Sequence, residues 1–376
     1  MTRTIFLPEH EQFRDSVSKF IDSEITPHYH QWENDGQVSR EIWRKMGEQG
    51  YLVASMPEEF GGVGADHLYS IIIGEEMCKK CYSAGVGFGL HSDIIVPYII
   101  QHGTQTQKEK YLPGTLSGEI ITAIAMTEPG TGSDLQGVQT RAVVDGDDYV
   151  INGSKTFISN GQLADLVIVV CKTENGFSLI LVEAEAPGFS KGSNLEKIGM
   201  KAQDTSELFF DDCRVPRSNV LGPEHMGFLV LMQELPQERI GIASGAICVA
   251  ESILEETVEY VKERKAFGRP IASFQNTQFE LAQLDSEVTA IRVFVDHCLL
   301  LHGDKKLDDV TAAKAKLLAT ELQKKVVDRC LQLHGGYGYM WEYRVARMYA
   351  DTRVSTIYGG TSEIMKLIIG RRLVGK

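Results

Sequence analysis

The apolar residues of this chain recur with a helical period at both ends and a strand period in the middle, and that order restricts the folds open to it. From Pro8 to about Gly118, Phe13, Val17 and Phe20, then Ile42 and Met46, then the run after His67 repeat at helical intervals. Loops such as EEFGGVGAD interrupt them, so residues 1–119 read as a helical domain. Between Ile120 and Glu234, LVIVVCKT, FSLILVEA and SELFFDDCRVP are β-rich runs separated by Gly, Pro and Asn. DDYVINGSKTFISN alternates about Asn152-Gly153, which predicts a two-residue hairpin turn there. Residues 120–234 are therefore expected to form a β barrel or sandwich. Beyond Pro236, Leu281, Leu284, Val288, Ile291, Val295 and Cys298 make one apolar stripe; Ala315, Ala319, Leu322, Val326, Cys330 and Leu333 make another. Residues 235–376 are expected to form a four-helix bundle. The fold class is α+β multidomain, in the order α, β, α.

Composition closes off several functions. The 376 residues are 43% hydrophobic and 24% charged, an ordinary globular balance. A formal net charge of −13 lacks the basic footprint of nonspecific nucleic-acid binding, yet leaves room for a local basic pocket for a phosphorylated small molecule. No apolar run approaches the roughly 20 residues that span a bilayer. The start, MTRTIFLPEHEQF, has neither a secretory apolar core nor an Arg/Ser-rich transit character. Seven scattered cysteines suggest no disulfide framework, so a reducing cytoplasm is expected, with the matrix form of a mitochondrial protein as the alternative. Cys78 and Cys81 form a CxxC without the second pair a zinc site needs; on a helix they would share a face as half-buried thiols. The histidines show no ligand spacing, and no metal is expected.

Five stretches carry the chemistry. AMTEPGTGSD, Ala125 to Asp134, is a loop rich in backbone N–H and hydroxyl donors suited to a phosphate or polar heterocycle, without the GxGxxG and βαβ context of a Rossmann fingerprint. TFISNG, RKAFGRPIASFQ, QLHGGYGY and IYGGTSEI follow in order up to Ile364. Together these motifs resemble those of the acyl-CoA dehydrogenases, over essentially the whole chain. The resemblance implies FAD as cofactor, an acyl-CoA substrate and an electron-transfer flavoprotein as electron acceptor. It places Met126, Thr127, Gly132, Ser133, Phe157, Ile158 and Ser159 against the flavin, with Ser159 near N5 and Ser133 between cofactor phosphates and substrate. Phe157 stands where relatives often carry Trp. Arg264, Phe267 and Gln275 would reach the FAD of a neighbouring subunit, Gln332, Leu333, Gly335 and Gly336 its adenosine diphosphate portion, and Thr361, Ser362 and Glu363 would close over it. A guanidinium fork suits a pyrophosphate. A homotetramer is implied.

Many members of that family carry at the position of Gly359 the glutamate that removes the substrate α-proton. This chain departs from the pattern. LMQELPQERIGIASG resembles the long-chain and isovaleryl-type branch, whose base precedes an arginine here, which makes Glu238 the expected base. Pro236 is expected to start a helix with Gln237, Glu238 and Arg239 in its first turn. Glu234 would point away, and Glu363 would be structural. Arg239, Tyr358, Gly359 and Gly360, with Ser133, would contact substrate, and the Gly359 N–H would face the thioester oxygen, where charge develops. The implied reaction is removal of the α-proton by Glu238 with transfer of a β-hydride to flavin N5, yielding a trans-2-enoyl-CoA. A medium or long straight acyl chain is expected, with a short branched one as runner-up. The rivals are an acyl-CoA oxidase, disfavoured because the chain ends at Lys376 soon after the last motif, and a non-catalytic flavin or acyl-CoA binding protein.

Overall fold

The computed structural model describes residues 3–375. Its N-terminal region contains α1 (Pro8–Phe20), α2 (Tyr29–Asp35), α3 (Arg40–Glu48), α4 (His67–Lys80), α5 (Tyr82–Gly89), α6 (Val96–His102) and α7 (Gln105–Ser117). Side-chain oxygens of Asp66 and Thr104 accept from the first-turn amides of α4 and α7, which fixes where those helices begin. The helical stripe is buried as its spacing predicts: Val17, Ile42 and Met46 pack with Trp43 and Tyr98 in one core. Cys78 and Cys81 do not share a face. Cys81 leaves the helical backbone at φ −139° to end α4 and lies buried near Thr26, whereas Cys78 sits on α4 facing the later helix that carries Gly245.

One expectation needs correcting. The helical stretch Tyr82–His102 is long and apolar enough to cross a bilayer, with a mean hydropathy of 1.2. Its glycine interruptions hide it from a scan for continuous apolar runs. Most of that window, 61%, is buried inside the protein, where Phe88, Ile95, Val96 and Ile99 pack into the N-terminal core.

The middle region holds β1 (Thr122–Ala125), β2 (Arg141–Asp145), β3 (Asp148–Ser159), β4 (Leu166–Thr173), β5 (Gly176–Glu183), β6 (Phe189–Asn194), β7 (Thr205–Pro216) and β8 (Val220–Leu221). The order is β6-β7-β3-β2-β4-β5-β8, with β1 on β4. Strands β2 and β4 share a single register pair, Arg141 with Lys172, so the sheet folds over at that seam. Tyr149, Ile151, Leu208 and Phe210 from one half meet Val167, Val169, Ile180 and Val182 from the other. The predicted hairpin turn moves: β2 and β3 are joined at Gly146-Asp147, between the paired Asp145 and Asp148. Glycine at the first central position, here with φ +65°, suits such a turn as well as Asn-Gly does. Asn152-Gly153 instead lies inside β3, where pairing to β7 slips by a residue. A Cβ at Gly153 would collide with Thr140.

The C-terminal region is built from α8 (Gly227–Glu263), α9 (Gln275–Gly303) and α10 (Asp309–His334), with shorter α11 (Arg344–Asp351) and α12 (Ser362–Leu373). Leu284, Val288, Val295 and Cys298 meet Ala315, Ala319, Leu322, Val326 and Cys330 in its core, as the two stripes predict. Pro236 does not start a helix; α8 begins nine residues earlier and runs through it. Buried Val230 and Leu231 anchor the first turns. The missing proline N–H orphans only the carbonyl of Met232, which lies on an exposed face that water reaches.

A charge cluster joins the two helical regions. Glu75 of α4, almost fully buried, accepts from Arg3 at 2.7 Å, Arg14 at 3.2 Å, Arg292 at 3.1 Å and Ser244 at 3.2 Å. Burial alone would raise its pKa, but Arg292, Arg3 and Arg14 outweigh that and hold it well below the usual carboxylate range.

Candidate active site

The tight turn between Tyr358 and α12 puts two consecutive residues in the left-handed region, Gly359 at φ +62° and Gly360 at φ +92°. A Cβ on Gly359 would run into Ile242 Cδ1 and lie 3.3 Å from Glu238 Oε1. The Glu238 carboxylate, carried on α8, therefore borders the space that a side chain at position 359 would enter. Gly359→Ala is expected to cost about 1–2 kcal/mol of stability from the left-handed backbone, because the end of Ile242 can rotate aside. Thermal unfolding of the purified variant checks this.

Burial raises the Glu238 pKa, and the positive charges of Arg239 and Lys316 offset that only in part. Its rivals are committed elsewhere. Glu234, expected to point away, is buried one turn earlier, its Oε1 2.8 Å from His102 Nε2 and its Oε2 accepting from Gln101 at 3.1 Å. Glu363 is exposed in the first turn of α12.

The remaining sequence-predicted residues divide by what their side chains do. The Arg239 guanidinium, expected to contact substrate, is instead buried and bound to Asp309 at the start of α10. Thr361 caps α12 by accepting from Ile364 N–H, and the Ser362 hydroxyl donates to Glu321 at 2.7 Å. Both side chains thus do structural work, and of this trio only Glu363 has an exposed one. The Tyr358 hydroxyl is 3.3 Å from that of Tyr82, and burial pushes its pKa up to about 12.

The Met126–Ser133 loop and the Phe157–Ser159 segment are brought together, since Thr156 N–H donates to Thr127 O at 2.9 Å. Gly130, Gly132 and Ser133 are exposed, as is Phe157 at 68%, held in the left-handed region at φ +59°. An exposed bulky residue in that conformation marks a functional constraint. Ile158 departs from expectation: alternation along β3 turns its side chain into the β core, 2% exposed, so only its backbone remains for a ligand. Helix α5 links this segment to the glycine turn, because Tyr82 meets Tyr358 and the Gly87 carbonyl accepts from Asn160 Nδ2. Five residues of helix span about 7.5 Å.

A third group lies far off. Arg264, Gln332, Leu333, Gly335 and Gly336 line one cavity of about 500 Å³ with Tyr260 and Tyr337, and the Arg264 guanidinium sits 5.3 Å from the Tyr337 ring centroid. Sequence reading takes Arg264 as part of a solvated helical ion pair when considered alone; the structure ends α8 before it. Phe267 is 95% exposed at φ +52°, and Gln275 opens α9 nearby. Along α8, Glu238 and Glu263 are separated by roughly 37 Å at 1.5 Å per residue.

Two lysines of the site, Lys155 and Lys316, lie outside the motifs. Lys155, fully buried, donates to Met126 O at 3.1 Å and Glu128 at 2.9 Å, while Glu128 accepts from the Gln139 and Thr140 amides, which pins the loop from beneath. Lys316, also fully buried, donates to the Gly360 carbonyl at 2.7 Å. Its signal was the spacing: Lys316, Thr320 and Gln323 form a buried polar stripe at helical intervals on α10.

The donor set fits a flavin dinucleotide. A guanidinium and glycines open to solvent where a Cβ would stand line one cavity, and an exposed strained aromatic flanks a hydroxyl-rich loop elsewhere. Comparison with known proteins agrees. Three family models cover the chain: the N-terminal domain of acyl-CoA dehydrogenases at residues 7–119, the middle domain at 123–213 and the C-terminal domain at 225–374. A mouse protein, long-chain specific acyl-CoA dehydrogenase, mitochondrial, is 53% identical over 99% of this chain and 88% of its own length. The crystal structure of an acyl-CoA dehydrogenase from Geobacillus kaustophilus superposes with a TM-score of 0.97 at 48% identity, covering 99% of this chain and 100% of that one. A glutaryl-CoA dehydrogenase from Mycobacterium smegmatis in complex with FADH2 superposes at 0.94 with 28% identity, over 99% of this chain and 96% of that one. The chain therefore belongs to the acyl-CoA dehydrogenase family, flavin-dependent oxidoreductases with FAD as cofactor.

Proposed function

We propose that this acyl-CoA dehydrogenase acts on long-chain acyl-CoA thioesters with Glu238 as the catalytic base. The observation that carries the assignment is the approach of Glu238 Oε1 to the place where a Gly359 side chain would stand. FAD, when bound, would supply the acceptor for the β-hydride. The chain's own residues do the rest. Glu238 takes the α-proton; its raised pKa makes it a stronger base than an ordinary carboxylate toward a weakly acidic C–H. The Gly359 N–H, held by a left-handed backbone, is offered to the thioester oxygen as enolate charge develops. The Tyr358 and Tyr82 rings wall the turn and reduce the water near the base.

Long-chain preference rests on the ELPQER segment, the Gly-Gly pair and the likeness to the mouse protein. Electron transfer to an electron-transfer flavoprotein rests on family resemblance. A multimer is supported by distance: the cavity lined by Arg264 and Gln332–Gly336 lies at the far end of α8 from Glu238, so these residues would serve the cofactor of a neighbouring subunit, and the homotetramer itself rests on family resemblance. The seven cysteines, all free, fit a reducing compartment such as the cytoplasm.

The test is an anaerobic titration of the flavin-loaded protein with acyl-CoAs of increasing length, followed by flavin absorbance. Bleaching at stoichiometric long-chain acyl-CoA is expected. Bleaching only with short branched acyl groups would overturn the substrate. A spectrum that shifts without bleaching across the series would support a binding protein, and rapid reoxidation in air an oxidase.

A further inference from the structure

We propose that Lys316 is a positioning residue of this site, fixing the Gly359–Gly360 turn and holding Glu238 in its ionised form. The proposal rests on the reading of Glu238 as the base. Lysine is almost never fully buried unless paired, yet the Lys316 side chain is 0% exposed. Among the described residues its ammonium makes one hydrogen bond, to the Gly360 carbonyl, and no salt bridge. A neutral amide could hold a carbonyl without the cost of burying a charge, so the charge calls for a separate reason. Glu238 supplies one: Lys316 holds the Gly360 carbonyl at 2.7 Å, a Cβ on the adjoining Gly359 would stand 3.3 Å from Glu238 Oε1, and across that turn each charge favours the ionised form of the other. Arg239, the stronger of the two positive influences on Glu238, is bound to Asp309, whereas Lys316 has no carboxylate hydrogen-bonded to it among the described residues and also holds the glycine turn.

Other groups bear on the pair from every side. Glu238 interacts with Arg239 on its own helix, Lys316 on α10, Tyr358 in the turn and Tyr98 on α6. Tyr358 in turn sees Tyr82 and Cys78. Lys316 sees Glu238, Arg239, Glu321 and Glu363, and burial lowers its own pKa to about 8, so it is largely charged at neutral pH. The turn is thereby held at two points, by Lys316 on the Gly360 carbonyl and by Thr361 capping α12.

The test variant is Lys316→Met, which removes charge and donor with little change in volume. Infrared titration of the Glu238 carboxyl, assigned by difference against Glu238→Gln, is expected to move upward by about one pH unit or more. The acid limb of kcat/KM should move with it, and the plateau should fall by about 10- to 100-fold as the turn loosens. Lys316→Arg should return the limb toward its original position. An unshifted carboxyl titration with kcat/KM within about twofold of the unaltered protein would overturn the proposal. Should the methionine variant not hold flavin, Lys316→Gln keeps a donor, removes the charge and carries the same expectation for the titration. The two readings fail separately: full activity in Glu238→Gln sinks the base, whereas an inactive Glu238→Gln with an unshifted Lys316→Met sinks only the lysine.

Discussion

Glu238→Gln is expected to lower turnover by about 10²- to 10⁴-fold while flavin content and thermal midpoint stay near those of the unaltered protein. Glutamine keeps the volume of the side chain and removes its capacity to accept a proton. The carboxylate has no hydrogen-bonding partner that the change would orphan, among the described residues. Single-turnover bleaching of the flavin by acyl-CoA would read the loss directly, separate from reoxidation. The pH dependence has a fixed sign. Only the ionised carboxylate is a base, so kcat/KM should fall as pH drops through the Glu238 pKa. Burial raises that pKa above the ordinary glutamate value of 4.5, so the acid limb should lie above it. An acid limb at or below 4.5, or a glutamine variant that bleaches as fast as the unaltered protein, would remove Glu238 from the mechanism.

The largest stability effect is expected far from the chemistry. Glu75→Gln should destabilise the protein by about 3–5 kcal/mol, the usual cost of stripping a buried charge cluster of one partner. Arg3, Arg14 and Arg292 all bond to this one carboxylate, and although each keeps a second partner, Asp296, Glu76 and Glu251 respectively, its loss removes the charge they share at the centre of the cluster. Because the folded-state pKa of Glu75 lies below its unfolded value of 4.5, its contribution is fully present above that pH and is lost as pH falls through the depressed folded value. Denaturation midpoints measured from neutral to acid pH should therefore drop steeply for the unaltered protein and more shallowly for the variant. Equal slopes would show that Glu75 is not the group responsible. The expected consequence reaches function indirectly, since Glu75 ties α4 to α8, which carries Glu238, through Ser244 and to α9 through Arg292.

The order of helical, sheet and helical regions was legible because burial imposes periodicity on sequence: a helix buries every third or fourth residue and a strand every second. Val288, Val295, Ala315 and Ala319 fall in the core where their spacing puts them. Glu238 entered as the proposed base through the resemblance of its motif, with an arginine beside it. The start of its helix was not legible. Proline marks a first turn locally, but apolar residues upstream at Val230 and Leu231 had a core to pack into, and tertiary burial outweighed one missing hydrogen bond. The Asn152-Gly153 turn failed for a similar reason. Two turn signals, Gly146-Asp147 and Asn152-Gly153, lie six residues apart, and strand pairing to β7 decided which of them bends the chain.

By itself, then, the sequence determined the layer order and the core stripes, both set by residue type and local spacing, whereas Glu238 was singled out through the family resemblance. Only the tertiary structure decided what those residues face. It brought Glu238 to the edge of the space left by Gly359, more than a hundred residues away, buried Lys316 against the glycine turn and turned Ile158 inward. It also put Arg264 at the far end of α8 from the base. Side-chain contacts between distant segments depend on how whole helices cross, and no local pattern encodes that crossing.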